Sequence, residues 1–319
     1  MINFQNQHWV PKFLLKNFVD ADGKVFRLNV VDDRITKLSP RRSASRPNFN
    51  ILLANGVPKS FENEFEKLET AAARPLADVV HRRSLTFLTR LQRTAIARFV
   101  AAQSFRTEAY RLGLRGNRAN LDLGTAMELM LVDIDQLAGL LDVRKWALMV
   151  TSERNPFYLG DNPVVLQKTE HPGEAGELGF DMAGVEAFIP LSPVCALYMI
   201  CPRHGREIVD GYRNALRINV AALAGIELED FDVSSALPIA RRVLGSTQPI
   251  YQAITHGSAL AADDKNVENL NYLQCAWASS GIYSNFSDFA FAQRVFRENP
   301  QYRGIMPARI HRTTGRLRD

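Results

Sequence analysis

Four groups of polar residues have the types and spacing that chemistry requires. Near the start, Gln7-His8 stands just ahead of Trp9-Val10-Pro11. A histidine beside a helix-opening proline can cap the helix, ligate a metal or act as a base near neutral pH. The plainer reading is a cap with its ring bonded to backbone. Glu62, Glu66 and Glu69 lie on one side of a helix. Carboxylates so placed suit a divalent cation, because hard cations take anionic oxygen, although a solvated acidic face is the commoner use. Phe99, Gln103 and Arg106 share a face of the next helix, where Arg106 would grip a phosphate or carboxylate with two prongs or pair with a neighbouring glutamate. Gly160-Asp161-Asn162-Pro163 sits between two extended runs. This is turn chemistry that also sets an acid and an amide at a strand end, where sites are often built.

The common signatures of several enzyme classes are missing. The sequence has no G-x-G-x-x-G, no G-x-x-x-x-G-K-[ST], no G-x-S-x-G and no H-E-x-x-H. Cys195, Cys201 and Cys275 form no C-x-x-C pair and no zinc-spaced cluster. An odd, sparse cysteine count suits a reducing compartment. The first nine residues lack the basic and apolar regions of a signal peptide, and the longest uncharged stretch, 187–202, is cut by Pro190 and Pro193. A cytoplasmic protein with no membrane segment is the expectation.

The net charge is +5, from 39 basic and 34 acidic residues. Most of the excess lies in the last stretch, where Arg303, Arg309, Arg312, Arg316 and Arg318 face one acid, Asp319. Arg41, Arg42 and Arg46 form a second cluster in a loop. Basic arms bind polyanions through counterion release, so nucleic acid is the expected partner, against the plain alternative of a solvated terminus.

These residues must be positioned by elements legible in the hydrophobic pattern. With 319 residues and 46% hydrophobic composition, the chain is long enough to bury a core without disulfides or metals. Trp9 to Phe18 reads as a short amphipathic helix, and Val25–Val30 with Arg34–Leu38 as a hairpin. Residues 40–58 read as loop. Helices are expected from Ser60 to about Arg83, from Leu88 to Leu112 and from Thr125 to Leu141. Extended runs follow at 146–151, 157–159, 164–167, 185–189 and 194–200, then helices near 208–223 and 236–244. Residues 246–288 give no clean period. No heptad and no large exposed apolar stripe stands out, which leaves the oligomeric state open. The expected fold is α+β, mainly a helical bundle with a small antiparallel sheet that the N-terminal hairpin joins. Residues 1–302 would form a single interwoven domain, helical over about 60–145 and strand-rich over about 146–202. Residues 303–319 would form a basic C-terminal arm.

Taken in order, the pieces resemble a known family. Gln7-His8 with Pro11, Leu15 and Phe18, then Glu62 and Leu68-Glu69, then Gln103 with Arg106-Thr107, Asp161-Asn162-Pro163-Val164 and Ile189-Pro190-Leu191-Ser192-Pro193 are similar to the bacterial "domain of unknown function 4238" family. The resemblance spans about residues 7–219. Gly160 stands where that family is expected to carry serine, which leaves no hydroxyl at this position. The resemblance implies a fold relative and, from polar residues dispersed over separate elements, a common pocket; it implies no particular activity.

Two functions follow as expectations. In the first, the chain is a hydrolase of nucleic acid or another phosphate ester, in concrete form a nuclease of bacterial conflict, a toxin or a phage-defence effector. Glu69 and Asp161 would hold a divalent metal such as Mg²⁺ or Mn²⁺. His8 would be general base or third ligand, and Arg106 would neutralise charge on a phosphoryl oxygen. Gln103 and Asn162 would orient substrate or water, and Arg41 and Arg42 would add affinity for a polyanion. In the second, the chain is a non-catalytic binding or immunity-type protein. There the same residues form a structural network, with Arg106 paired to Glu69 and His8 locking the N-terminal helix.

Overall fold

A computed structural model describes residues 6–117, 122–169, 178–227 and 232–303. The chain opens with strand β1 (Asn6–His8), which pairs antiparallel with β4 (Ser45–Pro47), His8 opposite Ser45. Helix α1 (Lys12–Leu15) is one turn long and runs into a 3-10 turn at Lys16–Phe18. Pro11 explains its late start. The residue before a proline is disfavoured in the α region, so Val10 does not join the helix and only the part after Pro11 coils.

The hairpin β2 (Val25–Asn29) and β3 (Ile35–Leu38) forms as its alternation predicts. Residues 40–58 do not form a plain loop. They hold a 3-10 turn at Pro40–Arg42, strand β4, and a hairpin of β5 (Ile51–Ala54) and β6 (Val57–Ser60). Its turn is Asn55-Gly56, both at positive φ (51° and 78°), the backbone a two-residue hairpin requires.

The expected long helices break where capping and packing demand it. Helix α2 (Glu62–Arg82) keeps Pro75 buried in its interior. Helix α3 (Arg90–Phe105) starts at a Thr89–Gln92 capping box and stops at Arg106, after which α4 (Glu108–Asn117) begins. The expected helix over Thr125–Leu141 is two, α5 (Leu123–Val132) and α6 (Ile134–Asp142), parted at Asp133.

The second half carries β7 (Lys145–Val150), β8 (Leu159–Gly160), β9 (Val165–Lys168), β10 (Val185–Ser192) and β11 (Cys195–Ile200). Helices α7 (Pro202–Ala224) and α8 (Val233–His256), strand β12 (Ala259–Ala261), helix α9 (Asp264–Trp277), strand β13 (Gly281–Ser284) and helix α10 (Ala290–Glu298) complete it.

This architecture corrects the expectation of a helical bundle with one small sheet. Among the described residues there is a five-stranded sheet ordered β12-β7-β11-β10-β9, a four-stranded sheet ordered β3-β2-β13-β8, and two two-stranded ribbons. The protein is α+β with substantial sheet. Every residue of β10 is buried, Glu186 and Ser192 included, so the strand shows no polar, solvent-facing side. Pro190 is tolerated there because β9 pairs only as far as Phe188 and a bulge follows towards Ser192. The N-terminal hairpin does join later strands, β13 and through it β8, in a four-stranded sheet separate from the five-stranded one. The largest core cluster includes residues from Trp9 to Tyr302. Among the described residues, no helix is long and apolar enough to cross a membrane.

Helix α5 lies hard against the β5–β6 hairpin. A Cβ on Gly124 would sit 2.1 Å from the Leu53 carbonyl oxygen. Gly124→Ala should therefore destabilise the protein by about 1–3 kcal/mol in urea unfolding, despite alanine's better helix propensity. An unchanged midpoint would mean the helix does not approach the hairpin so closely in solution.

Candidate functional site

The opening segment presents two carbonyls, those of His8 and Trp9, that neither helix nor ladder satisfies. Helix α3 supplies their donors from one face. Gln103, fully buried, donates from Nε2 to the Trp9 carbonyl at 2.7 Å. One turn on, at the helix end, Arg106 donates from Nη2 to the His8 carbonyl and from Nη1 to Glu69 Oε1, both at 2.5 Å. Its guanidinium lies over the Phe65 ring, 4.7 Å from the centroid. The side chain of Arg106 is 3% exposed and that of Glu69 24%, so the ion pair is buried on one side and wet on the other.

A second set of bonds fastens the same segment from the hairpin side. Gln7 Oε1 accepts from the Asn50 backbone N–H at 2.7 Å, and Asn50 Nδ2 donates to Glu62 Oε2 at 2.6 Å. Arg111 donates to Asn50 Oδ1 at 2.7 Å and to the Phe49 carbonyl. Glu62 and Glu69, seven residues apart on α2, thus bracket the segment through different partners. Glu66 stays in solvent. Burial raises the Glu62 pKa, opposed by the Asn50 bond and the Arg106 charge.

His8 is half-buried, with Nε2 3.2 Å from the Pro40 carbonyl. Since a carbonyl only accepts, Nε2 carries the proton and Nδ1 keeps its lone pair. Burial lowers the His8 pKa, partly offset by the Pro40 carbonyl and the Glu69 charge. The ring is therefore neutral at pH 7. The turn it holds carries Arg41 and Arg42, both exposed. Arg46 instead pairs with Glu108 at 2.7 Å and lies 4.8 Å over the Phe49 ring.

Asp161 belongs to a different construction. Following β8, it is 1% exposed, and its carboxylate accepts four hydrogen bonds. These come from the backbone N–H and hydroxyl of Ser279 and of Ser280, at 2.6–2.8 Å. The carboxylate fixes the turn between α9 and β13. Next to it, the Gly160 N–H donates to Gln274 Oε1 at 2.7 Å, and Gln274 Nε2 donates to the Pro163 carbonyl. A Cβ on Gly160 would lie 2.9 Å from that Oε1, so this chain's glycine suits the bracket that Gln274 makes.

The structure thus brings His8, Glu69, Gln103 and Arg106 together, joined by Gln7, Asn50, Glu62 and Arg111. It sets Asp161 in its own serine cradle. Glu69 and Asp161 share no hydrogen bond or ion pair, and among the described residues no three His, Cys, Asp or Glu side chains are grouped to hold a metal. A cation would have to displace four donors from Asp161 and Arg106 from Glu69, so these residues do not fit the expected metal. Asn162 is 4% exposed and its Oδ1 has no partner; Gln103 Oε1 is likewise buried and unpartnered. Of the basic arm, Arg303 is docked, donating to Asp33 at 2.6 Å and lying over Phe296; its other arginines lie outside the described residues.

Sequence reasoning missed Asn50, Arg111, Gln274, Ser279 and Ser280. Asn50 and Arg111 carry no motif of their own. Gln274, Ser279 and Ser280 fall in the stretch without period, where a buried helix hides its signal.

The class these features define is an α+β protein whose scattered polar motif closes on its own N-terminal segment. The chain belongs to the family described as Protein of unknown function (DUF4238), whose model matches residues 6–122 and 116–288. No curated protein and no solved structure matches it.

Arg106→Ala should cost about 3 kcal/mol in urea unfolding, because the His8 carbonyl loses its donor and Glu69 its partner. Arg106→Lys should recover only part, since one ammonium replaces a fork with two targets. A loss below about 0.5 kcal/mol, the range of exposed pairs, would contradict the bracing role.

The depressed His8 pKa has a definite sign. As pH falls below 6.5, the unfolded chain takes up a proton at His8 that the folded chain refuses, so stability drops until the folded value is reached. His8→Gln keeps an N–H for Pro40 and removes the titration. Its melting temperature should fall less than that of the wild type between pH 7 and pH 5.5. Parallel curves would refute the coupling.

Proposed function

We propose that this chain is a non-catalytic binding protein, of the kind that contacts a polyanion. Its polar motif is a structural network that holds the contact surface in place. The observation that carries the reading is that the groups best suited to chemistry already have protein partners. Asp161 accepts four bonds from Ser279 and Ser280. Both Nη atoms of Arg106 are engaged by Glu69 and the His8 carbonyl. Among the cations left to solvent are Arg41 and Arg42, on the turn that His8 fixes, and they suit a phosphate backbone such as that of nucleic acid.

A second reading, hydrolysis of a nucleic acid or another phosphate ester as in bacterial conflict systems, is favoured by specific atoms. His8 keeps an unprotonated Nδ1, as a general base needs, and the Glu69 charge acts on its ring. Gln103 and Asn162, the two amides suited to orienting a substrate or water, each leave a buried oxygen unpartnered.

Thermal melting with Mg²⁺, Mn²⁺ or Zn²⁺, on wild type, Asp161→Ala and Asp161→Asn, separates the two readings. The binding reading expects no metal-dependent rise, and a loss on Asp161→Ala that Asp161→Asn partly spares. A rise that vanishes in both variants would overturn it by mass action and reinstate a metal-dependent hydrolase. In parallel, Arg41→Ala with Arg42→Ala should weaken binding of single-stranded RNA by fluorescence anisotropy. The double variant should lower the salt slope by about 1–2. An unchanged slope would remove this turn from the contact.

A further inference from the structure

A cleft of about 530 Å³ opens where the loop after β7, helix α9 and the loop after β13 meet. That volume lies within the roughly 300–1,000 Å³ of small-molecule sites. Hydrogen bonds fix its walls. The Thr151 hydroxyl donates to the Asn155 carbonyl at 3.0 Å, and Asn155 Nδ2 donates to Asp264 Oδ1 at 2.8 Å. From the α9 side, the buried Asn271 accepts from the Tyr158 N–H at 2.7 Å and donates to the Pro156 carbonyl at 2.9 Å. On the far side, Asp288 Oδ1 accepts from the Ala290 N–H at 2.9 Å and sets the start of α10. Walls held in this way keep their shape before any ligand arrives, which lowers the ordering cost of binding.

The charges of the cleft serve nothing within the chain. Arg154, Arg294, Glu153, Glu268 and Asp288 line it and are exposed, yet none forms an ion pair among the described residues. Exposed cations elsewhere, such as Arg46 and Lys59, do find a carboxylate, each at 2.7 Å. Here the fold keeps opposite charges in one cleft and apart. The Arg294 guanidinium lies over the Phe291 ring, 5.3 Å from the centroid, and a stacked guanidinium keeps its N–H edge for an acceptor. Phe286 lines the cleft as well. It is half-buried, joins none of the core clusters and has no ring partner among the described residues. An aromatic side chain set against a cleft and not against the core suits the ring of a ligand.

A ligand that uses all of these groups brings an anion for the guanidiniums, a cation for the carboxylates and a flat apolar ring. Three carboxylates against two guanidiniums repel a phosphate dianion and accept a molecule without net charge. We propose that this cleft binds a zwitterionic amino acid with an aromatic side chain. Its carboxylate goes to the arginines, its ammonium to the acidic side chains, and its ring packs on Phe286. None of these residues belongs to the polar network around His8, so the site stands apart from the polyanion reading.

Isothermal titration calorimetry of the full chain with phenylalanine, tyrosine and tryptophan, at two temperatures, tests it. At least one should bind at one equivalent with a Kd below about 1 mM. Analogues of that ligand lacking the ammonium or the carboxylate (for phenylalanine, 3-phenylpropionate and phenethylamine) should each bind at least about tenfold more weakly. Arg154→Ala with Arg294→Ala should weaken the amino acid by at least about tenfold and leave the amine analogue within about twofold. Glu153→Gln with Glu268→Gln and Asp288→Asn should likewise weaken the amino acid and spare the acid analogue. Phe286→Ala should weaken all three ligands. Because these side chains are exposed or half-buried, far-UV circular dichroism of every variant should match the wild type. No heat of binding from any of the three amino acids at about 10 mM, equal affinity for either analogue, or affinity indifferent to these substitutions would each overturn the proposal.

Discussion

The whole polar architecture depends on a single backbone problem. Pro11 disfavours helix at Val10, and β1 ends at His8, so the His8 and Trp9 carbonyls enter the interior at the break between strand and helix. Gln103 and Arg106 serve them, from a helix end that stops where the guanidinium must turn. Once Arg106 is buried it requires a counter-charge, which fixes Glu69 and thereby the rotation of α2. Because Glu69 is partly wet, the pair is closer to a clasp than to a sealed core ion pair, where desolvation would outweigh the attraction.

The same logic recurs at Asp161, with backbone N–H groups in place of arginine. The turn from α9 into β13 presents donors that no ladder uses, and one carboxylate collects them. In both places a charged side chain lies where main-chain groups have been stranded. Polar residues dispersed through a sequence need not converge on a ligand; they can mark the points where the chain enters or leaves regular structure. The unpartnered oxygens of Gln103 and Asn162 are the exceptions, and they keep a chemical reading open to test.

What could be read beforehand follows from which forces leave a local trace. The hairpin β2–β3, helix α2 and strands β7, β10 and β11 show their alternation, period or apolar run, because each buries at least one mainly apolar face. The β5–β6 hairpin was legible in principle, through Asn55-Gly56, but short exposed strands offered no hydrophobic run to support it. Helix α9 was hidden for the opposite reason. Buried from Val267 to Trp277 along several sides, it carries Asn271 and Gln274 inward as brackets for Tyr158, Gly160 and Pro163, which destroys the amphipathic pattern. Helix α8 runs through Pro238 and Pro249, which sequence rules read as stops. At the site, the pairing of Arg106 with Glu69 was foreseeable from type and spacing. That Asp161 serves two serines far along the chain was not, since nothing local connects them.

The position of β13 carries a consequence for how the molecule comes into being. It lies between β2 and β8, pairing Gly281 with Asn29 and Ile282 with Gly160, so the inner strand of this sheet is the last of its four to be made. As the ribosome delivers the chain, β2 has one open edge until residue 284 emerges. Contacts so distant in sequence make folding slow, and an unpaired edge on a nascent chain invites pairing with the wrong partner. The N-terminal hairpin therefore waits in the cell as a half-finished sheet. The clasp on His8 and Trp9, made from residues before 107, can already hold the neighbouring segment in place.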